Sequence, residues 1–377
     1  MTNCLLVPFI FFYRCVFWSC NCLCKNRTRS HINIENQLKE LSHASGGWWR
    51  DKNRQTIDTR DTFYIFLFQK IHNKIDTTKL RTFVNTLSLC MTNDGKVPSA
   101  FEYSWTNYRI PIYQHNNKNV IDANMFFIIL VWWLRECDES TLKHYYLHAQ
   151  RAWAWLDISF INETVHESIG ASWNTAQKHK GTVLLTNVLN IRCVRCMELI
   201  SMAQRDEPRM KKFGKIYDRC VSTWVPEIYK TQEMLPKILA IFWNIVPSNF
   251  LQSFNQSILT PFVPCRTEGP ISQQTTMDSN FYGIADQYDT VVWPWITMLW
   301  INILFYRKRK KQLKQWLDKT VDFVYLNTVF DMYDKHTLKP FGRAFLKSQP
   351  EHALSLQAKM LLDNIMYNEQ PDNEQPV

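Results

Sequence analysis

Several charged and aromatic residues of this chain stand at the starts of helical segments or in or beside loops, where they could contact a ligand. They are Arg60, Asp61, Asp122, Trp173, Trp293 and Trp295. Carboxylate and guanidinium groups bond ligand hydroxyls, and an indole ring stacks on the apolar face of a ring-shaped ligand. The alternative for both acids is helix capping, which is electrostatically favoured at a helix start, and for the tryptophans it is packing. Because Arg60 stands beside Asp61, a binding role is favoured there.

The elements that must position these residues are helices that come in consecutive pairs. In one of them, Leu80, Phe83, Val84 and Leu87 have the spacing of a single helix face. Helices are predicted over 61–73, 77–91, 122–136, 140–157, 182–204, 208–222, 231–246, 290–306, 310–328 and 351–367. Strand signals are weak.

Long loops alternate with short ones, and loops of such length in a compact domain are usually functional. The long loops are 99–121, 158–181, 247–288 and 329–350. The pattern predicts an all-α toroid of helical hairpins with its site on the long-loop face. An α-solenoid is the alternative, but the sequence has no fixed repeat period.

The composition excludes several classes of protein. The chain has 377 residues, 46% of them hydrophobic, with 15 Trp, 9 Gly and a formal charge of +10. The apolar fraction excludes wholesale disorder, and the lack of glycine-rich phosphate motifs argues against a nucleotide-binding fold. A basic run at 307–314 could bind phosphates or an anionic membrane, but it is interpreted as a solvated turn. It lacks the interleaved aromatics of a nucleic-acid groove, so no nucleic-acid partner is expected.

The cysteines and the N-terminus indicate neither a metal centre nor a disulfide scaffold. The chain has 11 cysteines, and Cys193 and Cys196 have zinc-ligand spacing without a second pair, so they are interpreted as packing thiols. The apolar run 4–18 is short for a membrane span, and it fits an anchor, a degenerate signal or a gene-boundary artefact. The compartment stays open, with the cytoplasm favoured over a membrane-anchored or secreted location.

These features divide the chain into three parts. Residues 1–30 form a hydrophobic, cysteine-rich segment, residues 31–367 form the helical domain, and residues 368–377 are expected to be disordered.

Six short motifs occur in an order that resembles a known family. They lie at 60–62, 93–99, 121–124, 171–187, 288–295 and 330–351. The succession is similar to that of the six-hairpin, (α/α)6-barrel glycosidases, and most like amylo-alpha-1,6-glucosidase, the C-terminal part of glycogen debranching enzymes. The resemblance covers about residues 45–367. It implies an (α/α)6 toroid for the helical domain.

The resemblance implies sugar-binding roles for seven residues. These are Arg60, Asp61, Asp122, Trp173, Asn187, Trp293 and Trp295. The first two match an R-D pair lining the pocket for the non-reducing sugar, and the last two match a W-P-W platform.

The resemblance also implies a pair of catalytic carboxylates. The base matches Glu351 or Asp331. The general acid of the family follows the loop tryptophan by two residues, where this chain has Thr175, whose hydroxyl cannot serve as a general acid. Glu163 or Glu167 could replace it under a shifted alignment.

The expected function is therefore hydrolysis of an oligosaccharide or α-glucan by an inverting mechanism that uses two carboxyl groups. A relative that binds carbohydrate without cleaving it is the alternative, because of Thr175. A helical scaffold for protein partners is a third possibility. The expected partner is a carbohydrate, no cofactor or metal is expected, and membrane contact is expected only if residues 4–18 act as an anchor.

Overall fold

The computed structural model describes most of the helical domain. The described residues are 34–50, 56–103, 109–115, 118–157, 160–167, 181–231, 234–247, 250, 291–292, 294–324, 333–334, 342–343, 346–347 and 353–368. The apolar run 4–18 and the tail after residue 368 lie outside them. Within this part of the chain, no helix combines the length and apolar character needed to cross a membrane.

Eleven helices account for most of the described residues. They are α1 (34–41), α2 (Thr59–Ile71), α3 (Thr77–Leu89), α4 (Asp122–Cys137), α5 (Leu142–Asp157), α6 (Leu184–Ala203), α7 (Glu207–Lys230), α8 (Met234–Phe242), α9 (Pro294–Tyr306), α10 (Lys310–Val324) and α11 (Ala353–Asn368).

Six of these helices form a closed inner ring. Helices α2, α4, α6, α8, α9 and α11 contact one another in that order, and α11 returns to α2. Helices α3, α5, α7 and α10 pack outside the ring against its members. The predicted (α/α)6 toroid of helical hairpins is confirmed.

The difference between inner and outer helices follows from their sequences. Every residue of α4 from Asp122 to Leu134 is buried, as a helix surrounded by others requires. Helix α7 instead buries one stripe, at Phe213, Ile216, Cys220, Trp224 and Ile228. That stripe continues past residue 222, where the helix was predicted to end. Burial of the last turns explains why α7 runs through a proline to Lys230.

Short strands form the loop-rich end of the barrel, although strand signals in the sequence are weak. They are β1 (Thr56–Asp58), β2 (Ala100–Tyr103), β3 (Arg109–Ile112), β4 (Gln114–His115), β5 (Lys118–Asn119), β6 (Phe160–Ile161), β7 (Thr164–Glu167), β8 (Gly181–Thr182), β9 (Val291–Val292), β10 (Tyr333–Asp334), β11 (Gly342–Arg343) and β12 (Leu346–Lys347). All pair antiparallel, and each lies in a connection that leads into an inner helix. The long-loop face therefore surrounds the N-terminal ends of the inner ring.

The basic run begins in the short connection from the inner helix α9 to the outer helix α10. Helix α9 ends at Tyr306 and α10 begins at Lys310, so residues 307–309 form the short turn between them. Lys308, Lys310, Lys311 and Lys314 are exposed. The prediction of a solvated turn holds for Lys308, whereas Arg307 donates to the Ile241 carbonyl at 2.9 Å and the exposed Lys310, Lys311 and Lys314 belong to α10.

Asn124, in the first turn of α4, fixes the turn that follows α3 by using its whole side-chain amide. Its Oδ1 accepts from the Val97 amide at 2.9 Å, and its Nδ2 donates to the carbonyls of Gly95 at 2.8 Å and Ala152 at 3.0 Å. Gly95 has φ +95°, and a Cβ atom there would lie 2.1 Å from the Arg151 carbonyl oxygen. The turn therefore requires glycine for both its backbone conformation and its close approach to α5.

Replacing Gly95 by alanine should lower the free energy of unfolding by about 2–4 kcal/mol, since backbone strain and steric overlap both act there. Gly181 is a matched control, because it has φ +85° but a Cβ atom added to it would meet no other atom within 4 Å. Gly181→Ala should lower the free energy of unfolding by the backbone strain alone, about 1 kcal/mol. Urea unfolding of both variants measures the difference, and equal losses would contradict the steric argument.

Candidate functional site

The start of α2 is held in place by a residue that was not predicted from the sequence. Asp58, the last residue of β1, caps the helix and accepts hydrogen bonds from the amides of Arg60 at 2.7 Å and Asp61 at 3.3 Å. The Thr59 hydroxyl donates to the Pro98 carbonyl at 2.9 Å. Asp58, not Asp61, is therefore the capping residue. An acid directly before the Thr-Arg-Asp start of a helix is the sequence signal for it.

Arg60 joins the first turn of α2 to the first residue of α4. Its Nε and Nη2 atoms donate to Asp122 Oδ2 at 2.9 Å and 2.5 Å. The two side chains are 19% and 8% exposed, so this ion pair is largely removed from water. The residue before Asp122 makes no side-chain cap, and the carboxylate is engaged by Arg60. The predicted residues Arg60 and Asp122 are thus direct partners.

Asp61 faces a second arginine on the same end of the barrel. Arg50 Nε lies 4.0 Å from Asp61 Oδ2, and the Arg50 carbonyl accepts from the amide of Ala353, the first residue of α11, at 3.0 Å. The side chain of Asp61 is 18% exposed. The starts of α2, α4 and α11 are therefore connected through Arg50, Arg60 and the two acids.

An aromatic layer lies directly beneath these charges. Tyr64 is one helical turn after Arg60, and its ring centroid lies 4.7 Å from that of Trp295 and 6.0 Å from that of Phe126. Trp295, a predicted sugar platform, is only 5% exposed. Burial raises the pKa of Tyr64, the charges of Asp122 and Asp61 add to the rise, and Arg60 opposes them. Tyr64 is therefore a neutral hydrogen-bonding group at neutral pH.

The charges of the cluster shift the pKa values of two more groups. Burial and, to a smaller extent, the nearby Asp61 raise the pKa of Asp58 to about 6, with Arg60 and Arg50 acting against the rise. Burial lowers the pKa of Arg60, but the charges of Asp122 and Asp58 raise it by more. Arg60 therefore stays charged. The cluster thus contains two permanent cations, Arg50 and Arg60, and a carboxyl group that titrates near pH 6.

Replacing Asp58 by asparagine should remove a pH dependence of stability. The folded-state pKa of Asp58, about 6, lies above its ordinary value of 3.8, so folding takes up a proton between these values. The unfolding free energy of the wild type should therefore fall as pH rises from about 4 to about 6. Asparagine still caps the helix but cannot ionise. Thermal unfolding across this pH range tests the effect.

Asp76→Asn is the matched control for that titration. Asp76 caps α3 through the Lys79 amide at 3.0 Å, but it is exposed to solvent. The Asp76→Asn variant should therefore show the same pH dependence of stability as the wild type. An unchanged pH profile in Asp58→Asn would contradict the assignment.

A second carboxylate lies at the start of α6. Glu167 ends β7, is 5% exposed, and accepts a hydrogen bond from the Thr186 hydroxyl. Asn187 is fully buried: its Oδ1 accepts from the Val165 amide at 2.8 Å, and its Nδ2 donates to the carbonyls of Val165 at 3.2 Å and Val183 at 2.9 Å. Asn187, predicted to bind sugar, therefore fastens β7 to α6 and so positions Glu167.

Glu163, four residues earlier, lies elsewhere. It occupies the turn between β6 and β7 with φ +63°, and its side chain pairs with Arg219 of the outer helix α7 at 2.8 Å. Its carbonyl accepts from Trp224 Nε1 at 3.4 Å. Of the two glutamates that could replace the general acid, Glu167 is the one at an inner-helix start.

The remaining predicted site residues lie outside the described part of the chain. These are Trp173, Thr175, Trp293, Asp331 and Glu351. Their roles stay predictions. Among the described residues, no group of three or more His, Cys, Asp or Glu side chains could hold a metal ion.

Comparisons with known proteins identify the architecture. No family model matches the sequence, and no curated protein matches it. A solved glycosidase variant in complex with glucose is similar, with a TM-score of 0.62 and 11% identity over 90% of this chain and 97% of that one. A rhamnosidase from Klebsiella oxytoca with rhamnose bound has a TM-score of 0.57 and 13% identity over 88% of this chain and 64% of that one.

A rhamnosidase from a Bacillus species has the same TM-score of 0.57, with 11% identity over 88% of this chain and 34% of that one. Identities this low establish the fold and leave activity to be argued from the site. The chain thus has the helical-toroid fold that these solved glycosidases share.

Proposed function

We propose that the chain is a glycoside hydrolase that acts on an oligosaccharide or α-glucan. The observation that carries the proposal is the Arg60–Asp122 ion pair with Asp61 beside it, on the long-loop face of an (α/α)6 barrel. The solved structures similar to the chain include glycosidases, which supports this class of reaction. Because the motif order is most like amylo-alpha-1,6-glucosidase, an α-1,6-glucosidic bond is the first linkage to test.

In the charged cluster of Arg60, Asp61 and Asp122, the three side chains would have different roles in binding the sugar. Arg60 is engaged with Asp122, which fixes its guanidinium, while Asp61 is the more exposed of the two acids and would accept hydrogen bonds from sugar hydroxyls. Trp173 and Trp293 would stack on the sugar rings, as predicted from the sequence, and the buried Trp295 packs against Tyr64 within the barrel. Fixed donors and acceptors of this kind give orientation and specificity to a sugar site.

Hydrolysis with inversion requires a protonated acid and an ionised base on opposite sides of the bond, about 6.5–9.5 Å apart. Glu351 or Asp331 would act as the base and activate a water molecule. Thr175 cannot donate the proton, so we assign the acid to Glu167, which is buried at the start of an inner helix. The proton would pass from its carboxyl group to the leaving glycosidic oxygen, and the base would take a proton from water.

A hydrolysis screen tests the proposal. The purified chain is incubated with α-1,4- and α-1,6-linked glucosyl oligosaccharides and with α-rhamnosides, and the anomer of the released sugar is followed by NMR. Turnover by the wild type that is lost in Glu351→Gln or Asp331→Asn identifies the base. Turnover that neither substitution reduces would contradict the base assignment.

A catalytically impaired relative that binds carbohydrate is the second candidate, and Thr175 in the acid position is the observation that favours it. In that case no substrate is turned over, but sugars still raise the melting temperature. A sugar at 100 times its Kd stabilises the folded state by about 2.7 kcal/mol. If no sugar is turned over and no sugar raises the melting temperature, both candidates are contradicted.

A further inference from the structure

A groove on the rim of the loop-rich face is lined by groups that no step of the proposed hydrolysis uses. It has a volume of about 750 Å³ and lies between the turn 43–45, the end of α3 and the β2–β3 hairpin. This volume is within the usual range for sites of small ligands. We call it the Arg109 groove; its polar lining includes His43, Ser45, Tyr103, Arg109 and Tyr113.

Arg109 supplies the charge of the groove. Its guanidinium lies 5.6 Å from the Phe101 ring centroid. Among the described residues, no carboxylate lies within ion-pair distance of Arg109, and the lining of the groove contains neither Asp nor Glu. A guanidinium without an acidic neighbour, in a concave site, favours an anion.

The polar groups around Arg109 are held in a fixed arrangement. His43 Nδ1 accepts from the Ser45 amide at 3.1 Å, and it lies 3.0 Å from Ser45 Oγ and 3.3 Å from the Tyr103 hydroxyl. Because Nδ1 accepts from a backbone amide, the remaining ring proton of His43 is on Nε2. The rings of Trp49 and Tyr103 pack edge-on against His43, with centroids 4.7 Å and 4.5 Å away.

The charge state of His43 agrees with this arrangement. Burial lowers the pKa of His43, and the charge of Arg109 lowers it further. At neutral pH the imidazole is therefore uncharged and offers an N–H donor, while Arg109 is a permanent cation of the lining. Among the described residues that line it, the groove thus presents donors and a cation without a competing anion.

We propose that the Arg109 groove binds a small anionic ligand of monosaccharide size, with Arg109 contacting its carboxylate or phosphate group. The volume exceeds the need of an inorganic ion, and Tyr103 and Tyr113 provide aromatic surface for a ring. A sugar phosphate and a sugar acid share this chemistry. The lining of the groove contains none of the charged residues at the starts of α2 and α4, so the groove and the candidate active site are distinct.

Calorimetric titration of the full chain tests the proposal with four probes: glucose 6-phosphate, glucuronate, inorganic phosphate and glucose. Glucose 6-phosphate or glucuronate should bind at least tenfold more tightly than glucose, and at least tenfold more tightly than inorganic phosphate. Whichever of the two binds more tightly identifies the anionic group. Added salt should weaken this binding, since it depends on one cation.

Variants locate the binding. Arg109→Gln should weaken it at least tenfold, whereas Lys212→Gln, which removes the same charge from an exposed position on α7, should leave it unchanged. If Arg109→Gln does not fold, Tyr103→Phe and Arg109→Lys should each weaken binding by a smaller factor. Equal affinity in Arg109→Gln and Lys212→Gln, or binding of glucose as tightly as its phosphate, would overturn the proposal.

The same titrations are repeated in Glu351→Gln to separate the groove from the proposed catalytic site. Binding there should match that of the wild type, because the groove does not depend on the proposed catalytic base. A chain that hydrolyses sugars but binds no anion would overturn the groove assignment alone.

Discussion

Replacing Asp122 by alanine is expected to lower the free energy of unfolding by about 3–5 kcal/mol. The substitution leaves Arg60 charged while its side chain is only 19% exposed, and it removes the contact that joins the start of α2 to the start of α4. Sugar-induced stabilisation should disappear with it, because the guanidinium then loses its fixed orientation. Urea unfolding and thermal shift with sugar measure the two effects.

Glu227→Ala is the control for this result. Glu227 pairs with Lys230 at 2.9 Å on the outer surface, with side chains 50% and 71% exposed. Exposed pairs contribute about 0–1 kcal/mol. If Asp122→Ala lowered the free energy of unfolding no more than Glu227→Ala does, the Arg60–Asp122 pair would not be a buried contact of the folded protein.

A double substitution separates stability from binding. In Arg60→Met with Asp122→Leu, neither charge remains buried, so part of the lost stability should return. Sugar binding should not return, since both polar groups are absent. Recovery of sugar binding in the double variant would contradict the binding role of the pair.

Replacing Glu167 by glutamine is expected to lower kcat by about 10²–10⁴-fold on natural glycosides, which is the range that general acid–base catalysis supplies. Glutamine keeps the shape of the side chain beside Thr186 but cannot donate the proton. The loss should be much smaller on aryl glycosides with acidic leaving groups, because they depart without protonation. The limb of the pH–rate profile that reports loss of the acid's proton should also disappear.

Glu163→Gln should keep near-normal turnover on both classes of substrate. Its side chain pairs with Arg219 on α7 and lies on the turn before β7. A rate loss in Glu167→Gln that is the same for natural and aryl substrates would indicate a structural effect and would contradict its assignment as the acid.

The helices were predictable because their signal is local. A helix face repeats within four residues, so the spacing of Leu80, Phe83, Val84 and Leu87 defines α3 without any knowledge of its partners. The strands of the long loops were not predictable, because two- to four-residue strands have no periodic pattern of their own. They are stabilised by partner strands, which for β1–β2 and β9–β10 belong to a different connection of the chain.

The site could be predicted only in part, for the same reason. Arg60, Asp61 and Asp122 were selected from their positions at helix starts, but their pairing joins residues 62 positions apart. Asp58 and Tyr64 carry no motif, since one acts as a cap and the other through its burial. Asn187 lies in a predicted motif, yet its amide is bonded to the backbone of β7 and α6.

The sequence by itself determined that the chain forms paired helices, that long loops gather on one face, and that charged residues open the inner helices α2 and α4. These are properties of neighbouring residues, and local geometry decides them. Closure of the ring decided the rest. It determined that Arg60 pairs with Asp122 and that Asp58 rather than Asp61 caps α2. It also determined that Glu167 is buried at an inner-helix start while Glu163 faces α7. Such choices depend on burial and on distances between distant segments, which come into being only when the helices pack.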